Sequence, residues 1–595
     1  MGGVLLVQLP LNGTAAFEPT GNTPLAAGML AAAAGLPPEA LLDGTEADTL
    51  GDRALVDAIV RRKPGIVGFT LYSWNVERSI YIASRLRRAL PDAKLLAGGP
   101  EVQPDNAWLL AGNAFDLLVA GEGEPLAGLL SGEIPFPAAG LIESGLQSFI
   151  PGEYPDPWLG GILTPEPGGS VSLETIRGCP SGCIYCGYRR RHPFPRIMSA
   201  HDAVEHARKI SALGGGEFVF IDPTFNARPD FDRLLRGLEG LGRKCFAELR
   251  GESVDAKVAA ALRRAGFESV ELGLQTSDRG VLARCGRPSD PTEVVRAASC
   301  LLEKGVTPVV DIIIGLPGDG REGPIGAAGM LAEAGAGGRV QAFYLSALPG
   351  TELRTIAGRY GLRFMDRPPY YVEETPWGGV AEMAELREEI SDVLGYDADL
   401  EPRPLLVEGW EGSETFDLDL PALDPGAPPS FRHGSLTLRS SDLDGRWERI
   451  EALVRRRLEA DPYCVLDVVL APGAPFSSDL PDRIRKLARC SDYSSRTAAR
   501  HGYDGNLRVS TLLGDCRRFD IAWIDGISCE CPVVAVVDSP EALPAELRAL
   551  GTGVRLSGPG WDLAGLAAST DDPLSIFFES ILLERLWCSM HLGSE

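Results

Sequence analysis

The sequence predicts an α/β protein in which parallel strands alternate with helices along most of the chain. Three observations carry that expectation. Short apolar runs end abruptly at proline or glycine, as buried parallel strands do. Segments of helical periodicity separate those runs. The strand–helix pair also recurs through 595 residues, a length that implies roughly two to four domains.

Composition narrows the class further. Hydrophobic residues make up 44% and charged residues 23%, the balance of a soluble globular protein. The chain has no apolar run of about eighteen residues, and Met1-Gly2-Gly3-Val4 lacks the charged flank of a signal peptide. Cytoplasmic residence without a membrane partner is therefore expected. A net charge of −25 repels phosphate backbones and argues against a nucleic-acid partner. The basic run Arg189-Arg190-Arg191 is too short to reverse it. Twelve cysteines in such a chain are expected as reduced thiols or metal ligands.

Taken in order, residues 4–10 form an apolar run closed by Pro10, followed by helical residues 23–34. Residues 66–72 are a second strand, with a helix over 76–88. A third strand, 94–97, ends in Gly98-Gly99-Pro100-Glu101, and a fourth, 116–120, in Gly121-Glu122-Gly123-Glu124. The alternation predicts a doubly wound, Rossmann-like sheet over residues 1–155. Glycines after its strands allow a ligand to lie against the carboxyl edge.

A Pro/Gly-rich linker over 151–169 leads to a second domain, residues 156–375. Strands are expected at 170–176, 217–221, 245–250, 269–274, 308–314 and 340–345, with helices such as 202–213, 255–265 and 292–303 between them. Six such units predict a partial (β/α)6 TIM-like barrel with its active site at the strands' carboxyl ends. Directly after the first of these strands comes Arg177-Gly178-Cys179-Pro180-Ser181-Gly182-Cys183-Ile184-Tyr185-Cys186-Gly187-Tyr188. Three thiolates at C-x3-C-x2-C suit three corners of a 4Fe–4S cluster, leaving one iron open. A zinc site would want a fourth Cys or His at similar spacing.

With Tyr185 before its last cysteine, this motif resembles the signature of the radical S-adenosylmethionine (SAM) superfamily. The Gly68-Phe69-Thr70-Leu71-Tyr72-Ser73-Trp74-Asn75, Gly98-Gly99-Pro100-Glu101 and Gly121-Glu122-Gly123-Glu124 blocks resemble those of its cobalamin-binding branch. The resemblance implies Cys179, Cys183 and Cys186 as cluster ligands and cobalamin over the edge of the first sheet. It implies cobalamin contacts from Gly98, Gly99, Glu101, Gly121 and Glu122, with Tyr72, Ser73, Trp74 and Asn75 near the cobalt's lower face. None of the six histidines lies in the first 191 residues, so a lower axial histidine is not expected there.

For SAM, the resemblance implies Tyr185, Asp222, Thr224, Glu248, Arg250, Gln275, Gly315 and Pro317. Asp222-Pro223-Thr224 stands where the family's commoner pattern is Gly-Gly-Glu. Glu248 and Arg250 alternate on one strand and are expected to face the same way. Glu271 is expected to bind SAM or to reach the open iron. Tyr344, with Ser346, ends the last strand and is expected to face substrate.

Beyond residue 376 no motif helps. A proline-rich loop at 420–431, then strands near 435–438, 464–470, 506–513 and 532–537 with helices at 446–460 and 479–490, predict a small α/β domain that selects substrate. Cys516, Cys529, Cys531 and Cys588 lack metal-ligand spacing and read as ordinary thiols. The resemblance implies a cobalamin-dependent radical SAM methyltransferase acting on a carbon centre of a small molecule or peptide in specialised-metabolite biosynthesis. It also implies an electron donor such as flavodoxin or ferredoxin. A non-radical cobalamin methylase and a cobalamin-dependent radical rearrangement are the alternatives.

Overall fold

The computed structural model describes residues 3–12, 20, 22–138, 140–144, 150–189, 194–396, 403–421, 424–488, 490–557, 561–570 and 572–591. Arg190 and Arg191 of the basic run, residues 422–423 of the proline-rich loop and residue 489 lie outside them. The chain forms two units: residues 1–8, 23–42 and 63–399, and residues 9–22, 43–62 and 400–595.

The first unit contains two parallel sheets. Strands β1 (Val4–Val7), β2 (Ile66–Thr70), β3 (Lys94–Gly98), β4 (Leu117–Ala120) and β5 (Gly140–Glu143) lie side by side in sequence order. β2 is buried along its whole length, as its unbroken apolar run requires. A single parallel bridge, Leu6 with Leu41, adds to the other edge of β1, with Leu42 N donating to the Leu6 carbonyl at 2.9 Å, so the order reverses at β1 as the doubly wound expectation requires. The helix Val76–Ala89 shows how local sequence builds the layer. Val76, Ser79, Ile82, Ala83 and Leu86 recur at helical spacing and are buried, and Arg87 and Arg88 sit at its negative C-terminal end.

After the short antiparallel pair, β7 (Ile176–Arg177) with β8 (Arg196–Ile197), the main barrel strands continue from β6 (Ser170–Leu173). They are β9 (Glu217–Phe220), β10 (Lys244–Leu249), β11 (Ser269–Gln275), β12 (Thr307–Ile314) and β13 (Val340–Tyr344), again parallel and in sequence order. This is the open six-stranded barrel that the six repeated units predict. Period-two alternation sorts its faces: Cys245, Ala247 and Leu249 of β10, and Val270, Leu272 and Leu274 of β11, turn outward into the core under the helices. Leu6, Ala27 and Ile66 of the first sheet's layer share that core with Trp158, Leu163 and Val171. A small hairpin, β14 (Arg363–Phe364) with β15 (Val372–Glu374), follows the barrel.

The second unit is larger than the sequence suggests. β16 (Ser413–Asp417), β17 (His433–Ser440), β18 (Val465–Pro472), β19 (Leu507–Leu513), β20 (Val533–Val537), β21 (Gly553–Leu556) and β22 (Ile576–Phe578) make one seven-stranded parallel sheet. Its outer strands are short and polar or glycine-led, which hides them from a pattern search. Leu436, Leu438, Val468, Leu470 and Val509 fill its core with Ile450 and Val454 of the helix Trp447–Ala460. Helix Asp52–Arg62 also belongs to this unit. Its first turn is held by Asp461, which accepts from Arg53 N at 3.0 Å and from Ser430 Oγ at 2.6 Å, while Asp52 accepts from Tyr463 N at 2.8 Å.

Asp461→Ala therefore leaves a helix start without its acceptor. We expect a loss of about 1–2 kcal/mol, read as a lower melting midpoint and faster proteolytic cleavage within residues 43–62.

Candidate functional site

The three-cysteine loop starts from a braced backbone. Fully buried Asp222 accepts from Thr175 N at 2.6 Å, Ile176 N at 2.8 Å and Thr175 Oγ1 at 2.5 Å. Arg228 donates to the same Thr175 hydroxyl at 3.2 Å and to the Met198 carbonyl at 2.6 Å. Burial pushes the Asp222 carboxyl up to about 7, against the pull of the Thr175 and Ile176 bonds. Both its oxygens are thus occupied. Asp222 shapes the entry to the loop, a bracing role that the expected SAM contact did not include.

Beyond that brace, Cys179 and Cys183 are buried and Cys186 is half-buried. Thr224 Oγ1 lies 3.5 Å from Cys179 Sγ, so Thr224 belongs to the thiol's surroundings. Ser181 N donates to the same sulfur at 3.4 Å, Ile184 N to the Cys285 carbonyl at 3.0 Å, and Leu353 N to the Ile184 carbonyl at 2.9 Å. Among the described residues, the one trio of potential metal-ligand atoms gathered within 4.8 Å is Asp52, Asp461 and Cys464. The loop thiols are spread more widely than one tetrahedral zinc allows, and such a spread suits a multi-iron cluster. Cys516, Cys529, Cys531 and Cys588 form no such group either.

Inside the barrel, inward positions on three adjacent strands are acidic. Glu248 on β10 pairs in register with Glu271 on β11, and Asp311 on β12 pairs with Gly273, two residues along. Burial, then the neighbouring Glu271 and Asp222 charges, pushes Glu248 up to about 7. Asp311 is held well above the carboxylate range by burial first and then by Glu271, to which it is hydrogen-bonded. Asp311 was missed at first sight, although it is the lone charge in a Val/Ile strand.

Four buried polar atoms along this interior have no protein partner: Tyr185 Oη, Gln275 Oε1, Asp311 Oδ1 and Arg287 Nε. Such orphaned donors and acceptors fit a polar ligand lying among them. Gln275 stands at φ +72° on the β11 bulge, a strained backbone that places its amide at the barrel mouth.

Other predicted residues are placed differently. Tyr344 shares its face with Val340 and Ala342, is buried in the outer core, and packs against Tyr371 with ring centroids 5.7 Å apart. It does not face the interior; its neighbour Phe343, 48% exposed, occupies the inward position. Arg250 lies just past the strand end and pairs with Glu252 through both terminal nitrogen and Nε, while also donating to Ser181 Oγ at 3.1 Å. It therefore supports the cysteine loop instead of sharing a face with Glu248. Gly315 and Pro317 form a buried turn after β12, with Gly315 at φ +96°.

At the carboxyl edge of the first sheet, Tyr72 and Trp74 stack with centroids 4.4 Å apart and planes 5° from parallel, Trp74 remaining 36% exposed. Ser73 between them is half-buried. Asn75 is buried and local: its Oδ1 accepts from Tyr72 N at 2.9 Å and its Nδ2 donates to Thr70 O at 3.2 Å. Gly98 ends β3, and Gly99 and Gly121 follow their strands at φ +104° and +102°.

Two predicted cofactor carboxylates are instead bound by protein. Glu101 accepts from Tyr370 Oη at 2.5 Å and Asn106 Nδ2 at 3.1 Å. Glu122 takes both terminal nitrogens of Arg196, at 2.5 and 3.1 Å, and lies 3.7 Å from Arg177. Arg177, next to the cysteine loop, also pairs with Glu124 at 2.9 Å and Glu174 at 2.5 Å. These bonds fasten the sheet's fourth-strand loop to the barrel. Tyr188, just past the third cysteine, lies near Glu248, Cys186, Tyr72 and Glu271.

Ion pairs thus join the carboxyl edge of one sheet to a thiol-bearing barrel mouth. Residues 24–130 match the B12 binding domain and residues 173–328 the Radical SAM superfamily. The chain thus carries a B12 binding domain and a radical SAM domain together, and their cofactors are cobalamin, a 4Fe–4S cluster and SAM.

Among curated relatives, 2-(S-pantetheinyl)-carbapenam-3-carboxylate methyltransferase of Streptantibioticus cattleyicolor is 25% identical over 52% of this chain and 51% of its own length. The cobalamin-dependent radical SAM methyltransferase TokK of Streptomyces tokunonensis is 24% identical over 53% of this chain and 52% of its own. The chain thus spans about half the length of each. The solved structure of the cobalamin-dependent SAM radical enzyme OxsB with aqua-cobalamin and SAM shares the fold at a TM-score of 0.50. It is 13% identical, over 65% of this chain and 66% of that one. Among the described residues no helix is long and apolar enough to cross a membrane.

Two outcomes follow. Replacing Asp222 by Ala strips acceptors from Thr175 and Ile176, at a cost of about 1–3 kcal/mol, and should lower iron bound per chain after anaerobic reconstitution. Glu248, raised from 4.5 to about 7, keeps its proton in the folded protein where the unfolded chain has lost it. Stability of the cofactor-free protein should therefore fall between those pH values, and Glu248→Gln should flatten the fall in melting midpoint.

Proposed function

We propose that the protein transfers a methyl group from SAM, by way of cobalamin, to a carbon centre of a small metabolite or peptide, with radical activation of the substrate. The observation that carries this reading is the junction just described, where Arg177 and Arg196 bind the fourth-strand loop beside the thiols. It brings the ends of two cofactor-binding sheets together. The names of the two streptomycete relatives, both methyltransferases and one acting on a carbapenam carboxylate, support methyl transfer in specialised-metabolite biosynthesis.

When bound, the cluster with SAM supplies a 5′-deoxyadenosyl radical and cobalamin carries the methyl group. Cys179, Cys183 and Cys186 would hold the cluster. Gln275, Glu248 and Tyr185 offer polar atoms toward SAM, and the stacked Tyr72–Trp74 pair an aromatic surface toward cobalamin. Asp222 and Arg228 keep the thiol loop in place. Phe343 and Tyr188 give the chamber exposed aromatic edges for an apolar part of the substrate. A flavodoxin- or ferredoxin-type donor would deliver electrons. In a polar route, Glu271 would displace SAM from the iron.

The test is anaerobic reconstitution with cluster, cobalamin, reductant and methyl-labelled SAM. Label in the corrinoid fraction, S-adenosylhomocysteine and 5′-deoxyadenosine are all expected. The triple Cys→Ala variant should lose deoxyadenosine while still binding cobalamin. Deoxyadenosine with no label in the corrinoid would sink methyl transfer in favour of a rearrangement. Corrinoid label without deoxyadenosine, even with substrate added, would favour the polar route.

A further inference from the structure

We propose that Arg287 sets the reduction potential of the cluster through its positive charge, fixed beside Cys183. The inference rests on the cluster assignment above, but not on methyl transfer.

Residues 285–287 are pressed against the cysteine loop. The Cys285 carbonyl accepts from Ile184 N at 3.0 Å. Gly286 stands at φ +70°, and a Cβ there would meet the Gly182 carbonyl oxygen at 2.2 Å, so only glycine permits this approach. Arg287 is then aimed back into the barrel. Its Nη2 donates to the Gly273 carbonyl at 2.8 Å. A Cβ on Gly273 would lie 2.8 Å from that nitrogen and 3.3 Å from Cζ, so strand β11 leaves a gap that the guanidinium fills. The guanidinium also lies near Tyr185, Cys183 and Glu252.

Two features distinguish this arginine from the others near the loop. Arg177 and Arg250 spend their charge on Glu124, Glu174 and Glu252. Arg287 forms no ion pair among the described residues, and its Nε is buried with no acceptor. A fixed cation outside any ion pair, with a spare N–H, thus stands beside one ligating sulfur. Reduction adds one electron to the cluster, and a neighbouring cation stabilises the more negative state. Charge close to the ligating sulfurs is one of the levers by which a protein sets a cluster's potential. Arg287 makes the cluster easier to reduce.

The experiment is a redox titration of the full-length protein reconstituted with iron and sulfide alone, without SAM or cobalamin. The signal is the electron paramagnetic resonance of the reduced cluster. Relative to wild type, Arg287→Met should shift the midpoint to more negative potential at unchanged iron per chain. Arg287→Lys, which keeps the charge but not the fork, should fall between. Equal midpoints in all three proteins overturn the proposal while leaving the cluster assignment intact. If Arg287→Met assembles no cluster, Arg287→Lys and Arg287→Gln decide by the same order of midpoints. Wild-type protein that binds no iron overturns both readings.

Discussion

Much of the site depends on a single buried carboxylate. Asp222 sits at the end of β9 and gathers Thr175 N, Ile176 N and the Thr175 hydroxyl of the neighbouring strand end. Parallel strands leave their last amide groups unpaired, and in a dry barrel mouth each unpaired amide is costly. By satisfying two at once, Asp222 fixes where the chain turns into the cysteine loop. Burial then raises the same group's proton affinity, so the brace is held at an electrostatic cost that its hydrogen bonds offset.

The acidic interior follows from the same geometry. Adjacent parallel strands in register place every second residue on one face, so Glu248 and Glu271 become neighbours whatever their chemistry. Three carboxyls so close cannot all ionise in a low dielectric, and Asp311 and Glu248 hold protons at pH values where exposed acids have lost them. Arg287 acts on these carboxyls, lowering Asp311's proton affinity while lying near Cys183. Proton inventory and thiol environment therefore meet at one side chain.

How much of this was legible in the sequence depends on range. Cysteine spacing, apolar runs and the glycines after strands are local, and the barrel strands and thiol loop stand where those signals put them. Strand order is not local: nothing in residues 1–155 marks Leu41, a single bridging residue, as the one that lies on the far side of β1. Neither could the sequence assign partners to Glu101 and Glu122, because Tyr370 lies 269 residues from one and Arg196 74 residues from the other. Tyr344 was misplaced by one residue of phase, which in a strand exchanges the interior for the core. Asp311 could have been found, since a lone acid in β12 interrupts its apolar pattern. Arg287 had no such signal, being one arginine among many on an irregular stretch.

The helix Asp52–Arg62 ties the chain's history to its end. Arg53 bonds to a residue 408 positions later, and the Asp52 side chain to one 411 positions later. During synthesis on the ribosome this helix emerges early but waits for almost the whole chain before its partners exist. β1 and β2, which flank it in sequence, are free to pair at once. The nascent protein thus carries an amphipathic helix, looped out between finished strands, as an exposed tether until translation nears its close. The second unit therefore cannot complete its packing around this helix until residues beyond 460 have been made.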